Sequence, residues 1–349
     1  MQLDPAISDV RERQLNREYT ARFPERRYRL LDERGLSSVG LGPCRERGDE
    51  NPAAIVAAIA LGCNVLDTAP HHHRGRHERS VGEAVALAVA SGLCTRDALV
   101  VSTTVGRVPE LVEQTIDSHG FGRLKLLVEE QFVARGLFSW HDLADGVHAI
   151  APAYLRHSIA QSRERTGLAR FDGVFLESPA VHRSCVSARE YQRRLLAAFA
   201  ALEEACDRGD ARWYGISASG PLDVAELVAL AHTASASASR LRALRIPSSL
   251  LRRDTRAAID AAADLGLFVF ASGCLDGGAP QYQLPDELDV AIGGDCDAAA
   301  AIRWAESAPG VSTALFGSRD ARHVRANLRA VALPRLASAL YRTSEELQS

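Results

Sequence analysis

One lysine, Lys125, stands among 41 basic side chains in a chain of 349 residues, so nearly all positive charge is arginine. The imbalance, beside abundant alanine, reflects a GC-rich coding bias, yet it excludes chemistry. An enzyme that forms a Schiff base, a phosphate-loop nucleotidase or a reductase relying on an active-site lysine has only Lys125 to use. No uninterrupted apolar run reaches about 18 residues, so no membrane span is expected. Charge of one sign is also lacking: the net charge is -3, with no basic stripe, and nucleic acid is not an expected partner. The opening MQLDPAISDVRER is charged and has no apolar centre, which argues against a secretory leader. The seven cysteines (Cys44, Cys63, Cys94, Cys185, Cys206, Cys274 and Cys296) are scattered and form no CxxC pair. Reduced thiols in a cytoplasmic protein are the plain reading. What is present, 46% hydrophobic and 24% charged residues, is the composition of a folded globular chain.

Strand-like and helix-like segments alternate after a polar lead, residues 1–27. Strands are expected at 36–42, 63–69, 98–104, 171–177, 211–217, 241–247, 266–272 and 311–317. Helices are expected at 51–61, 77–90, 151–167, 188–208, 221–232, 253–265, 296–308 and 319–330, with a final one near 333–347. Eight such units in one chain fit a single α/β domain over 1–349, a closed (β/α)8 TIM barrel, better than an open sheet. Gly62, Gly209 and Gly266 fall where helices pass into strands. One interval is too long: 105–150 is an excursion after the third strand, carrying Phe132, Phe138, Trp140 and His141. Its position on the face of the strand ends makes it a lid or substrate wall, an interface element or an inert insertion. Residues 232–241, small and polar, read as a loop or frayed helix end.

In such a barrel the chemistry lies just past the carboxyl ends of the strands. The second strand ends in Asp67-Thr68-Ala69 and runs into His71, His72, His73, Arg74, Arg76 and His77. The third ends in Ser102-Thr103-Thr104, the fourth in Glu177-Ser178-Pro179, the fifth in Gly215-Ile216-Ser217-Ala218, and the eighth in Gly317-Ser318-Arg319-Asp320. This order of motifs, Asp-Thr-Ala then Gly75…Glu78, Ser102-Thr103, Tyr214-Gly215-x-Ser217, and Gly317-Ser318-Arg319-Asp320 followed by His323-Val324 and Asn327-Leu328, resembles the aldo-keto reductase family over residues 30–330. The long excursion is similar to a larger bacterial branch of it.

The resemblance implies a carbonyl reductase using NADPH, with tyrosine as proton donor, lysine and aspartate tuning it, and histidine orienting the carbonyl. Position by position, the aspartate falls on Asp67, the tyrosine on His72, the lysine on Thr104 and the histidine on Glu177. Three of the four are changed. The nicotinamide contacts beside Ser217 fall on Ala218 and Arg245, and the stacking tyrosine on Ser272. The segment for the adenosine and its phosphate stays recognisable in Gly317, Ser318, Arg319, His323 and Asn327, at a strand end leading into a helix N-terminus.

Asp67, His72 and Glu177 are therefore expected to meet in one cavity. A carboxylate beside an imidazole would raise its pKa and make it a base near neutrality. Glu177 on the opposite wall would be the acid. Arg245, Arg74 or Arg76 would grip a substrate carboxylate or phosphate. The leading expectation is a non-redox lyase, isomerase or cyclase acting on a small polar metabolite, in bacterial specialised metabolism, with no cofactor required. The alternatives are a divergent NADP(H)-dependent oxidoreductase and an inactive barrel that binds a metabolite or a partner protein. No metal site is expected, since the usual zinc spacing is absent. His71, His73 and His77 read as a solvated loop, and Cys274 as an apolar filler. A monomer is the expected state, with a homodimer as the alternative.

Overall fold

The protein is described by a computed structural model over residues 5–44, 51–109, 125–236, 238–250, 252, 254–276 and 297–336. The polar lead is largely helical, α1 (Pro5–Ala21), and is followed by a hairpin of β1 (Tyr28–Leu31) and β2 (Arg34–Ser37). Eight strands then close a parallel barrel in chain order. They are β3 (Val39–Gly42), β4 (Val65–Asp67), β5 (Val100–Val105), β8 (Phe171–Glu177), β9 (Ala211–Ser217), β10 (Leu241–Pro247), β11 (Phe268–Ser272) and β12 (Thr313–Gly317). The short β6 (Leu143–Ala144) and β7 (His148–Ala149) form a separate hairpin within the excursion. The expected strand 36–42 is split at Ser38. Its N–H is taken by the Arg27 carbonyl at 2.8 Å, while its own carbonyl accepts from Ala314 of the barrel at 2.9 Å.

The outer helices α2 (Pro52–Ala60), α3 (Arg76–Ala90), α4 (Pro152–Thr166), α5 (Ala188–Asp207), α6 (Val224–Ala234), α7 (Arg256–Asp264), α8 (Asp297–Ser307) and α9 (Ala321–Ala330) match the expected segments closely. Local chemistry sets their ends. The Asn51 side chain caps α2 ahead of Pro52, Ser187 caps α5 and Asp223 caps α6, each satisfying an N–H that the helix cannot. Gly62, Gly209 and Gly266 take positive φ after their helices, as expected of cap glycines. The expected helix at 333–347 lies mostly outside the described residues.

The interior has two layers. Val65, Val100, Phe175, Trp213, Phe270 and Leu315 pack inside the barrel, and a larger set fills the space between strands and helices. Gly173 makes the inner layer possible, because a Cβ there would collide with the Trp213 indole. At the amino ends of the strands Asp172 is buried among Arg34, Arg96 and Arg212. Against the cost of burial, Arg96 and Arg34 draw its carboxyl down to about 2. Among the described residues no helix is long and apolar enough to cross a membrane.

Within the excursion, Phe132, Phe138 and Tyr154 form a satellite core with Val108, Val128 and Ala149. The two phenylalanine rings stack at 5.4 Å, so this part is packed structure rather than linker. Lys125 is an exposed helical residue.

Candidate active site

The carboxyl ends of the strands enclose a cavity of about 1520 Å³, above the roughly 300–1,000 Å³ of a pocket for one drug-sized ligand. Asp67, His71, His72, Glu177, Ser217, Arg245 and Ser272 border one end. Gly317, Ser318, Arg319, His323 and Asn327 border the other. The cavity brings together the anticipated site residues except Thr104, Arg74 and Arg76. Thr104 is absent from the wall: it is buried, and its hydroxyl donates to the Thr68 carbonyl at 3.3 Å.

The centre is organised by Arg245. Its Nη1 donates to Asp67 Oδ2 at 2.7 Å, its Nη2 to Glu177 Oε2 at 2.9 Å and its Nε to Ser217 Oγ at 3.0 Å. The guanidinium carbon lies 4.9 Å from the Phe175 ring centroid, a cation–π distance. Ser102 Oγ completes the shell on Asp67 Oδ1 at 2.6 Å. Three of Arg245's five donors are therefore engaged within the protein. The expectation that it grips a substrate anion gives way to a structural charge bridge between two strand ends. Burial pushes the Asp67 carboxyl up, opposed by the Arg245 guanidinium and the Ser102 hydroxyl.

Asp67 is accordingly not the partner of His72. Burial, then the neighbouring His71, His77 and Arg245, hold the His72 imidazole well below its ordinary range. The expected base with a raised pKa is instead a neutral ring. His71 lies 4.4 Å from it, centroid to centroid, and is pushed down to about 3 by burial and by Arg107. His77 is no solvated-loop residue: it is buried in the first turn of α3, 2.7 Å from the Thr68 hydroxyl. Only His73 keeps the loop character, set against the Cys44 carbonyl at 3.0 Å. His73, Arg74 and Gly75 have φ of 51°, 55° and 73°, and this left-handed reversal turns His71 and His72 toward the cavity. Arg74 and Arg76 are exposed and lie off its wall, which corrects their assignment to the substrate. Cys274 is buried and its thiol, pushed up to about 12 by burial, contacts the Leu315 carbonyl at 2.9 Å. Among the described residues no group of three or more histidine, cysteine or acidic side chains is placed to hold a metal ion.

At the far end of the cavity Asp320 caps α9, its side chain accepting from Arg322 N–H at 2.7 Å and pairing with the Arg322 guanidinium at 2.7 Å. Asp320 thus satisfies one N–H of the helix N-terminus from within the chain. Asn327 is 5% exposed and borders the cavity. Three arginines of the wall escaped the sequence reading: Arg252, Arg322 and Arg107, the last of them two positions beyond β5. The signal available for Arg107 was its place just past a barrel strand.

The model of the Aldo/keto reductase family matches residues 35–290. A D-threo-aldose 1-dehydrogenase from a Pseudomonas species is 30% identical over 174 residues, which cover 48% of this chain and 44% of that protein. The chain therefore matches less than half the length of that curated relative. The fold is similar to that of the holo form of an aldo-keto reductase from Bacillus halodurans, with a TM-score of 0.66 and 19% identity over 92% of this chain and 96% of that one. It is likewise similar to an aldo/keto reductase from Klebsiella pneumoniae in complex with NADP and acetate, with a TM-score of 0.62 and 19% identity over 92% and 95% of the two chains.

Proposed function

The chain belongs to the aldo/keto reductase family, and on that premise we propose that it is a divergent NADP(H)-dependent oxidoreductase of small polar carbonyl compounds. The observation that carries the reading is the pair Asp67–Arg245. The lysine expected beside the aspartate is absent at Thr104, and a guanidinium from the sixth barrel strand supplies the positive charge in its place. Asp67 thus keeps a cationic partner at the head of the cavity, supplied from another strand.

The wall fits a nicotinamide dinucleotide at its tail end. Ser318, Arg319 and His323 offer polar contacts there, and the largely buried Asn327 lines the cavity beside them. When bound, the cofactor supplies or accepts the hydride. This chain's residues do the rest. His72, neutral, donates its ring N–H to the carbonyl oxygen and polarises it without first needing a proton. The Arg245 guanidinium, held between Asp67 and Glu177, offsets part of their negative charge beside the carbonyl. His72 then passes its N–H proton to that oxygen and is reprotonated from solvent.

A second reading has one observation in its favour. Ser217 Oγ is engaged by Arg245, and Ala218 and Ser272 offer neither a carboxamide partner nor an aromatic ring. On that reading His72 and Glu177 form the acid–base pair of a lyase, isomerase or cyclase that uses no cofactor. NADPH titration followed by fluorescence, with absorbance of the reduced cofactor recorded over a panel of aldoses and 2-keto aldehydes, separates the two. Saturable binding with a change in cofactor absorbance supports the oxidoreductase. No binding up to about 1 mM, a bare 4 kcal/mol of affinity, overturns it.

A further inference from the structure

Arg107 is held by its backbone on three sides. Ala149 N–H donates to the Gly106 carbonyl at 2.9 Å and Val108 N–H to the Val147 carbonyl at 2.8 Å. The Tyr154 hydroxyl donates to the Arg107 carbonyl at 2.9 Å. Arg107 also forms an antiparallel bridge with His148 of the excursion hairpin. The side chain so positioned borders the cavity together with His71. Other arginines of that wall are paired, Arg245 with Asp67 and Glu177, Arg252 with Asp254 and Arg322 with Asp320. The Arg107 side chain meets no carboxylate or other acceptor among the described residues, and its Nε is buried without a hydrogen-bond partner. Nδ1 of His71 is buried and unpartnered in the same way. A buried guanidinium nitrogen and a buried imidazole nitrogen on one cavity wall, neither with a partner among the described residues, are groups that a bound anion can satisfy.

We propose that Arg107 and His71 bind a carboxylate group of the substrate. The inference deepens the oxidoreductase reading by naming its substrate class, and rests on it for taking this cavity as the site of reaction. A planar guanidinium matches a carboxylate with two parallel hydrogen bonds, and the Nδ1–H tautomer of a neutral His71 adds a third donor. Because His71 is held neutral, the subsite carries one positive charge. A monoanionic carboxylate therefore suits the subsite better than a phosphate dianion.

The test is binding of pyruvate and of inorganic phosphate to the full chain, without cofactor and at constant ionic strength, followed by the line width of 13C-labelled pyruvate and by calorimetry. Wild type is expected to bind pyruvate saturably and more tightly than phosphate. Arg107→Gln is expected to weaken pyruvate at least about tenfold, the loss of one charge-assisted hydrogen bond or more. Arg107→Lys, which keeps the charge but not the planar fork, should fall between them. Thermal melts of both variants report folding, and the lysine variant keeps the test valid if the glutamine variant unfolds. Equal binding by wild type and a folded variant, no saturable pyruvate binding by wild type, or tighter binding of phosphate would each overturn the proposal. Saturable pyruvate binding by a chain that binds no NADPH up to about 1 mM would sink the oxidoreductase reading and leave this one standing. Turnover of neutral aldoses without pyruvate binding would do the reverse.

Discussion

Arg245 reaches Asp67 across the barrel at 2.7 Å although 178 residues separate them, and the same guanidinium holds Glu177 at 2.9 Å. Two carboxylates on separate strands thus share one buried cation. Removing a member of such a group leaves uncompensated charge in a poorly solvated place, which costs about 3–5 kcal/mol. Arg245→Met, close in volume, is expected to lower stability by that order in urea unfolding. An unchanged unfolding midpoint would mean that the bridge does not organise the site.

Substitution at the lysine position tests whether Arg245 has taken over that charge. Ser102 and Thr104 lie on one face of β5 by strand alternation, and Ser102 Oγ contacts Asp67. Thr104→Lys alone places a second cation on that buried face and is expected to destabilise. Combined with Arg245→Gln it should recover stability, giving a favourable coupling of about 1–3 kcal/mol in a double-mutant cycle. Strict additivity would remove the argument that the two positions serve one carboxylate.

The histidine cluster makes the fold sensitive to acid from an unusually high pH. His71 and His77 are held near 3 and His72 is also depressed, burial being the first cause in each. Unfolded imidazoles titrate near 6.5, so below that pH the unfolded chain binds protons that the folded one does not. Stability from these rings is complete above about pH 6.5 and is lost as pH falls toward 3, by about 1.4 kcal/mol per pH unit for each ring. Urea midpoints at pH 8, 6 and 5 should fall accordingly. The slope should flatten by up to about 1.4 kcal/mol per pH unit in His77→Gln, and an unaltered slope would exclude His77 from the effect.

Asp172 behaves in the opposite part of the scale. Its carboxyl is held at about 2 against about 3.9 in an unfolded chain. Its contribution is intact above about pH 4 and disappears as pH falls through 2. Asp172→Asn should remove that acid-range dependence and cost about 3–5 kcal/mol at neutral pH, because Arg34, Arg96 and Arg212 lose their common partner.

A packing prediction concerns Gly82 in α3. A Cβ there would strike the backbone carbonyl of Thr166 at the end of α4, an atom that cannot swing aside. Gly82→Ala is expected to lose about 1–3 kcal/mol despite its gain in helix propensity, measured by thermal melt. A stabilised variant would show that the helices separate freely at this crossing.

The expected strands 171–177, 211–217 and 241–247 coincide with β8, β9 and β10, because short apolar-rich segments set between helix-length amphipathic stretches favour strands. The split at Ser38 was not legible, since a break in strand partnership leaves the local apolar pattern unchanged. Nor was the burial of His77. An isolated histidine on the first turn of a helix carries no sign of which neighbour will cover it.

From the sequence alone came the eight alternating units and the placement of Asp67, His72 and Glu177 at strand ends, with the resemblance setting Thr104 at the family's lysine position. These follow from local periodicity and from motif order, which are properties of the chain itself. Tertiary structure decided which charges pair. Arg245 could be assigned to substrate, cofactor or Asp67 until the barrel closed, and Arg107 had no distinction from other arginines until its neighbours were seen to leave it unmatched. Ion pairing depends on distances across the barrel and on the exclusion of water, and neither is written in residue spacing.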